Sequence, residues 1–322
     1  MGALGEKRKW KWAGLAAVFV FLSLAPLFLS GYWVRLLTSV FMFAVMAEGW
    51  NIVGGFCGYP SFGNVVFFGI GAYTTCIFMV ELKLPFIVGV AAGAGLSCLF
   101  AMVLGFPILR LKGHYFAIAT LGLAEGTKEL VTNLDSITKG TEGISLPIIP
   151  GSVKAIYAAF YYGMFGIMIA TILFTFWMSR RRLGYAFRAI RSDEDAARVM
   201  GINSTWYKTL AWMASAFFTG LVGGVYAYWS AFINPEGVFN VGITVKMLIM
   251  TFLGGPGTVM GPIVGAFVFE FISEIVWSHF VNVHAAFLGV LIIAVVIFLP
   301  GGFMKAKLSW SAFKAGLQES RV

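Results

Sequence analysis

Long runs of apolar residues, separated by short polar segments, recur along the whole chain. A helix of about 20 apolar residues is long enough to cross about 30 Å of hydrocarbon. Charged residues make up only 11% of the sequence, whereas a soluble domain carries about 25%. Too little polar surface is therefore available to cover a water-soluble fold. The runs also lack the alternation of period two that barrel strands show, so we predict an all-α integral membrane protein.

The apolar runs predict about ten membrane-spanning helices. They lie at Ala13–Gly31, Val34–Val53, Phe62–Val80, Pro85–Leu109, Tyr115–Val131, Ala155–Met178, Thr209–Ala231, Val241–Leu253, Gly261–Trp277 and Ala285–Leu299. Basic residues cluster near both chain ends, and the positive-inside rule places such clusters in the cytoplasm. An even number of crossings follows, so we count Val241–Leu253 and Gly261–Trp277 separately rather than merging them.

The domain organisation expected from these runs is a single transmembrane domain over residues 1–322. Residues 12–303 form its membrane core, 179–208 a cytoplasmic loop and 304–322 a cytoplasmic tail. The net charge of +9 does not indicate nucleic-acid binding, because the basic residues flank apolar runs. The first run is longer than a typical signal-peptide core and no clear cleavage site follows it, so we expect it to be retained.

Cysteine and histidine give no indication of a metal site. Cys57, Cys76 and Cys98 lie in apolar sequence without Cys-x-x-Cys spacing, which is typical of small packing residues. The three histidines show no ligand spacing. We expect no metal and no cofactor in this chain.

The basic loop Arg180–Lys208 contains the pattern of a short capped helix. Ser192 is followed three residues later by Asp195, which resembles a capping box with Asp in place of Glu. Gly201 suits the position that terminates a helix. The pattern predicts a helix of about two turns over Ser192–Gly201, which is too short to be stable alone.

One face of this predicted helix is apolar. Ala196, Val199 and Met200 fall at positions i, i+3 and i+4, so they share a face that must be buried against something. The face either packs against the protein's own spans or inserts into a groove on a partner, and the spacing of the helix residues alone leaves both open.

Two clusters of glycine each precede an apolar run, and we call them the first glycine break (Gly54–Gly63) and the second glycine break (Gly254–Gly261). Transporters carry such interrupted helices near their substrate paths, although glycine clusters also form simple turns between spans. If the first reading holds, the residues on the path are Glu48, Gly54, Gly55, Gly58, Ser61, Asn64, Gly254, Gly255, Gly257 and Gly261.

Several ionisable residues fall inside the predicted spans, where charge is costly and therefore often functional. They are Glu48, Glu125, Lys128, Glu129, Lys246, Glu270 and Glu274. Lys128 is three residues from Glu125 and can pair with it. A proton-coupled transporter would need such carboxylates, so ion-coupled secondary transport is the main rival function.

The loop and several other segments resemble a known family. Asp195-Ala196-Ala197, with Gly201 four residues on, is similar to the E-A-A-x-x-x-G loop by which permeases of ATP-binding cassette (ABC) importers dock on the ATP-hydrolysing subunit; Asp replaces Glu at the first position. An ordered set of segments then resembles the M-type permease of branched-chain (LIV-type) amino-acid ABC importers. These segments are Gly113–Leu121, Thr138–Ile144, Arg188–Gly201, Phe217–Tyr226 and Leu253–Thr258 with Gly261-Pro262.

The resemblance implies a fold, partners and a location. It implies a type II-like importer permease in the bacterial or archaeal cytoplasmic (inner) membrane. The implied partners are a second, H-type permease, two ABC ATPases that bind the ATP and magnesium, and a periplasmic substrate-binding protein. The residues implied to dock on the ATPase are Arg188, Arg191, Asp193, Glu194, Asp195, Ala196, Ala197, Met200 and Gly201.

The sequence carries no phosphate-binding loop of the form GxxxxGK[ST], so any ATP dependence must come from a partner. We expect a transport subunit rather than an enzyme, since no nucleophile–base pair or metal cluster stands out. The expected substrates are branched-chain or other hydrophobic amino acids. Related permeases are associated with urea or short amides, and these or other small organic acids remain open.

Overall fold

A computed structural model describes residues 19–147 and 151–279, together with residue 289 and residues 302–304. Apart from residue 289, the predicted span Ala285–Leu299 lies outside the described residues. So do nearly all of the predicted tail and the first part of the predicted span Ala13–Gly31. The description below concerns the described residues alone.

The described chain is almost entirely helical. The longer helices are α1 (Phe19–Phe28), α2 (Gly31–Trp50), α3 (Asn64–Val80), α4 (Phe86–Ile108), α5 (His114–Asn133), α7 (Val153–Ser179), α8 (Arg182–Ser192), α10 (Ser204–Ser230), α12 (Val241–Gly254) and α13 (Gly261–His279). The short ones are α6 (Asp135–Thr138), α9 (Glu194–Val199) and α11 (Pro235–Val238), with a 3-10 turn at Gly140–Glu142. Two short strands, β1 (Ile144–Ser145) and β2 (Phe232–Ile233), complete the set.

The helices follow the apolar runs of the sequence. Five segments of the described chain are long and apolar enough to cross a membrane, and they are Gly31–Phe56, Phe86–Ile108, Val153–Ser179, Ser204–Ser230 and Pro235–Gly254. Two shorter apolar helices, Phe19–Phe28 and Asn64–Val80, accompany them. The prediction of an all-helical membrane protein is thereby confirmed. Each predicted span in the described residues coincides with a helix, including the separate helices α12 and α13.

Helix α2 forms the centre of the bundle. It packs against α7, α10, α12 and α13, and its residues from Val40 to Trp50 are all buried. At Asn51 the α-helix widens into a π-helical segment, Asn51–Phe56. Such segments interrupt the regular hydrogen-bond ladder and are often found at functional sites. The first glycine break therefore begins inside the most deeply buried helix.

Close approach of helix backbones holds α3, α4 and α10 together. A Cβ atom added at Gly71 would collide with the backbone of Gly220, and one added at Gly223 would collide with the carbonyl of Phe68. Small residues at such positions allow helix packing where lipid supplies no hydrophobic driving force between helices. Gly71 and Gly223 thus have a packing role among three helices that each contact the other two.

The two ends of the bundle differ in structure. At one end, which we call the hairpin end, β1 pairs antiparallel with β2, with Ile144 opposite Ile233, and Lys128 forms an ion pair with Glu236 at 3.1 Å. The opposite end, which we call the loop end, carries α8, α9 and the turn between α4 and α5, since Lys112 reaches Asp195 there at 2.7 Å.

Candidate functional site

Helices α8 and α9 form the loop end and are separated by one extended residue, Asp193 (φ −160°, ψ 114°). The carboxylate of Asp193 accepts hydrogen bonds from the backbone N–H groups of Asp195 at 2.9 Å and Ala196 at 3.0 Å. It therefore caps α9 and satisfies amide groups that have no partner inside the helix. Helix α9 then runs over only six residues, Glu194–Val199.

The prediction that Ser192 caps this helix is wrong. Ser192 is the last residue of α8, and its hydroxyl donates to the carbonyl of Arg188 at 3.0 Å. Asp193 takes the capping role because it is the extended residue between α8 and α9, and its carboxylate reaches the free amides of Asp195 and Ala196. The predicted end of the helix is confirmed, because Gly201 has a φ of +85°, the left-handed conformation that ends helices.

The apolar residues of α9 divide between the protein and its surroundings. Ala197 is buried, with 3% of its surface exposed, and belongs to the apolar cluster at the loop end. Ala196, Val199 and Met200, which we call the docking face, are all exposed, Val199 at 87% and Met200 at 82%. The first of the two open readings, packing against the protein's own spans, is therefore not what the described residues show.

Glu194 anchors α9 to the body of the protein through a group that we call the Glu194 cluster, formed by Tyr59, Glu194, Ser204 and Lys208. Oε1 of Glu194 accepts from Nζ of Lys208 at 2.9 Å and from the hydroxyl of Ser204 at 2.8 Å. Its other oxygen accepts from the hydroxyl of Tyr59. Arg198 adds an ion pair within α9. Helix α9 is thus tied both to α10 and, through Tyr59, to the first glycine break itself.

The charge of the Glu194 cluster is balanced inside the protein. Lys208 is only 1% exposed. Its ammonium lies 3.1 Å from the Tyr59 hydroxyl and 4.2 Å from the centre of the Tyr59 ring. Burial alone would raise the pKa of the Glu194 carboxyl. The hydrogen bonds from Tyr59, Lys208 and Ser204 outweigh it and lower the pKa to about 2. Burial and the hydrogen bond to Glu194 raise the pKa of Tyr59.

The remaining charged residues of the loop have different environments. Asp195 is exposed and forms an ion pair with Lys112, so it joins α9 to the turn after α4. Arg188 is exposed as well, and its guanidinium donates to the carbonyl of Ser179 at 3.1 Å. Exposed pairs of this kind contribute little to stability.

Arg191, at the end of α8, contacts both glycine breaks. Its guanidinium donates to the carbonyl of Gly55, and its side chain lies against Gly58 and Gly257, each of which has a positive φ. A larger residue at Gly58 or Gly257 would meet the Arg191 side chain. The loop end is thus in direct contact with both interrupted segments.

The two glycine breaks, far apart in sequence, meet at Asn51. The side-chain amide of this fully buried residue donates to the carbonyl of Thr258 at 2.9 Å, and its oxygen accepts from the backbone N–H of Gly257 at 2.8 Å. A Cβ atom on Gly55 would lie 2.6 Å from the Gly257 nitrogen. The breaks are therefore packed against each other rather than lining an open channel.

The other residues predicted to lie on a path are buried around this junction, apart from Gly54, which is half-buried. Glu48 is 1% exposed and accepts from the Asn51 amide at 3.3 Å, while Asn64 donates to Ser215 at 2.7 Å. The carbonyl of Ser61 accepts from the Trp50 indole at 2.8 Å. The glycines are tightly packed, since a Cβ atom would collide with Trp50 at Gly54, and with the backbone of Gly261 at Gly254. A Cβ on Gly261 would lie 2.6 Å from the carbonyl oxygen of Gly255, whose own φ is +123°.

Sequence reasoning missed several partners of these residues. Tyr59 and Lys208 carried no local signal, because each meets Glu194 only after the chain has folded. Arg35, which lines clefts at the hairpin end, was overlooked although its charge within an apolar run could have revealed it. The predicted pair of Lys128 and Glu125 is confirmed at 3.7 Å.

Comparisons with known proteins agree with this architecture. The sequence profile of the family described as "Branched-chain amino acid transport system / permease component" matches residues 32–296. The high-affinity branched-chain amino acid transport system permease protein LivM of Salmonella typhimurium is 29% identical over 94% of this chain and 77% of its own length. The corresponding LivH of Escherichia coli is 24% identical over 81% of this chain and 91% of its own length. The autoinducer 2 import system permease protein LsrC of Yersinia enterocolitica is 25% identical over 66% of this chain.

Proposed function

Because this chain belongs to the family of permease components of branched-chain amino-acid transport systems, and is of its M type, we propose that it is the permease subunit of an ABC importer for branched-chain or other hydrophobic amino acids. The expectation of a multi-pass transport protein is met by the family and by the apolar helices. The mechanism proposed here is ATP-driven alternating access, with the hydrolysis carried out by a separate subunit that binds ATP and magnesium.

One observation carries the proposal: α9 exposes an apolar face, while Glu194 at its start is bound to the body of the protein. Val199 and Met200 stand at 87% and 82% exposure on a helix that the Glu194 cluster joins to α10. Exposed apolar side chains on a rigid, charged loop suit insertion into a groove on a partner. We assign that partner as the ABC ATPase. The docking residues are those of the loop, from Arg188 to Gly201.

The contacts of this loop indicate how a movement of the ATPase is transmitted to the membrane helices. A movement of the ATPase shifts α9, and the Glu194 cluster passes that shift to α10 and Tyr59. Arg191 passes it to Gly55 and Gly257 in the two breaks. The proposed path through the membrane runs along the two breaks, and separating them at Asn51 opens it. A change between two discrete packings is how such couplings usually act.

The arrangement in the membrane is part of the same proposal. About ten spans cross the inner membrane of a bacterium or archaeon in a type II-like architecture. Residues 12–303 form the membrane core, 179–208 the cytoplasmic coupling loop and 304–322 a cytoplasmic tail. The loop end is cytoplasmic because Arg180, Arg181 and Arg182 lie there, and both termini share that side. The complete importer adds an H-type permease, two ATPases and a periplasmic binding protein.

The experiment is reconstitution of the chain with its copurifying subunits and binding protein in proteoliposomes. Leucine uptake that requires ATP and resists a protonophore supports the proposal. Uptake that persists without ATP and collapses with the protonophore would instead establish ion-coupled transport. ATP-dependent uptake of urea or a short amide, with none of leucine, would retain the ABC mechanism and replace the substrate.

A further inference from the structure

A cleft at the hairpin end contains charges of both signs. It has a volume of about 640 Å³ and lies between α2, α7, α10 and α13, where Arg35, Ser39, Trp229 and Glu270 line it. A second cavity of about 410 Å³ adjoins it and shares Arg35, Ser39 and Trp229. Their sizes fall in the range of small-molecule sites, about 300–1,000 Å³. We call the two together the hairpin-end cleft.

Glu270 is the unusual residue of this cleft. Only 9% of it is exposed, and among the described residues its Oε1 has no hydrogen-bond partner. The neighbouring carboxylate of Glu274 already accepts a hydrogen bond from Tyr32. A buried carboxylate oxygen without a donor is costly, so a ligand with a positively charged donor would be favoured at this point.

Arg35 supplies the opposite charge in the same cleft. Its guanidinium lies 5.6 Å from the centre of the Tyr157 ring, and among the described residues no carboxylate lies within ion-pair distance of it. Arginine is suited to bind a carboxylate with two parallel hydrogen bonds. Lys246 interacts electrostatically with Glu270 but forms no ion pair with it among the described residues. Arg35 and Glu270 therefore line one cavity without pairing to each other, and Oε1 of Glu270 is left without a donor.

The second cavity contains Arg35 but not Glu270, and most of its other lining side chains are apolar. Met42, Phe43, Met46 and Ile243 line it, and Lys246 covers the Phe43 ring at 5.2 Å from its centre. Methionine adapts its shape to different apolar groups. The cleft thus joins a compartment with both charges to a compartment of aliphatic and aromatic side chains.

From this arrangement we propose that the hairpin-end cleft binds a free zwitterionic amino acid with an apolar side chain. Arg35 binds the α-carboxylate, Glu270 binds the α-ammonium, and the side chain occupies the space between Met42, Met46 and Ile243. The inference rests on the proposed function, and it adds a specific binding station on the side of the membrane opposite the ATPase. A substrate that the binding protein releases on that side of the membrane would meet this cleft before it reaches the glycine breaks.

The test is protection of a cysteine from labelling. Ser39 lines both cavities, and Cys57 and Cys76 are buried, so a Ser39→Cys variant in a Cys98→Ala background offers a single accessible thiol among the described residues. The full complex in membranes is labelled with a membrane-impermeant methanethiosulfonate. Leucine should slow the labelling, whereas leucinamide, which lacks the carboxylate, and 4-methylpentanoate, which lacks the ammonium, should not. Ser145→Cys, at the exposed position of strand β1, is the control and should label at one rate throughout.

Charge variants then assign the two ends of the ligand. Arg35→Gln or Glu270→Gln should weaken the leucine protection at least about tenfold, because hydrogen bonds to charged groups are the stronger ones. Arg35→Lys should retain part of it. If a charge variant fails to accumulate, the comparison of leucine with its two analogues on Ser39→Cys still decides the matter.

Two results would overturn the inference: protection that is equal for all three compounds, or a Ser39→Cys thiol that does not react because a second permease covers the cleft. Leucine uptake measured in the same membranes separates this inference from the proposed function. ATP-dependent leucine uptake without protection rejects the cleft alone, whereas absence of both leucine uptake and leucine protection rejects the cleft and the amino-acid substrate together.

Discussion

The ammonium of Lys208 lies 2.9 Å from the carboxylate of Glu194, and both side chains are withdrawn from solvent, at 1% and 9% exposure. The contact joins the foot of a long helix to the start of a six-residue helix at the surface. A buried pair of this kind is costly to break from one side, because the remaining charge is left without a partner. It therefore fixes the position of α9.

Removing the lysine charge should loosen the loop end. We expect Lys208→Met to destabilise the region by about 2 kcal/mol, since it removes a hydrogen bond between charged groups and leaves Arg198 as the cation paired with Glu194. Hydrogen exchange of the α9 amides in the detergent-purified protein measures the change. The double variant Glu194→Gln/Lys208→Met should recover most of the protection. If the double variant exchanges as fast as Lys208→Met alone, the charge is not what holds α9.

The pH dependence of the Glu194 cluster has a definite sign. The folded protein holds the Glu194 pKa near 2, below its usual value of 4.5, so the ionised form stabilises the fold. This contribution is complete above about pH 4.5 and is lost as the pH falls toward 2. The free energy of opening of α9, measured by hydrogen exchange, should therefore stay the same between pH 5 and 7. Below pH 4.5 this free energy should fall less in Glu194→Gln than in the native chain.

The docking face can be separated from the packing of the loop. Val199→Arg should abolish ATP-dependent uptake without changing the amount of protein in the membrane, because Val199 is exposed and contributes to no core. The matched control is Val153→Arg, which changes an exposed valine at the other end of the bundle and should leave uptake intact. Ala197→Arg is a poor test of docking, since Ala197 is buried. Native uptake in Val199→Arg would contradict the docking role.

The junction at Asn51 should be sensitive to loss of its amide. Asn51→Leu removes partners from the N–H of Gly257 and the carbonyl of Thr258, and unsatisfied buried groups of this kind cost about 1–3 kcal/mol each. The melting temperature of the detergent-purified protein should fall. Asn133→Leu serves as the control, because Asn133 is exposed and bonds only within its own helix. Equal melting temperatures for the two variants would show that the breaks are held by other contacts.

The close packing of α3 on α10 predicts a contrast between two glycines. Gly71→Ala should strongly reduce the folded protein recovered, because the added methyl group collides with the backbone of Gly220. Gly95→Ala changes a helical glycine with open space around it and should be neutral or slightly stabilising. Recovery of monodisperse protein from membranes, measured by size-exclusion chromatography, gives the comparison. A normal yield for Gly71→Ala would mean that the helices can separate at no cost.

Much of the fold could be predicted because lipid imposes one simple rule, namely that an apolar run of sufficient length becomes a helix. The helices α2, α4, α7 and α10 follow that rule, and the helix stop at Gly201 follows from its conformational freedom. The cap at Asp193 was misplaced because Ser192 and Asp193 both suit the position locally, and only the packing of α8 decides between them.

The contacts of the site could not be predicted. Glu194 meets Tyr59 across 135 residues of sequence, and Arg191 meets Gly55 across 136. No spacing rule connects residues at such separations, because their meeting depends on how whole helices pack. The same applies to Arg35 and Glu270, which the sequence places in different helices without any sign that they share a cleft.

The hydrogen bonds of Asn51 tie the backbone of one interrupted helix to a side chain of the other. Neither segment can shift by itself without leaving a buried polar group unsatisfied. In the proposed transport cycle the two breaks therefore switch in concert, as a single all-or-none event. With a pair of fluorophores placed on each break, the rate constant of the conformational change should accordingly be the same for both breaks. No populated state should appear in which only one break has moved.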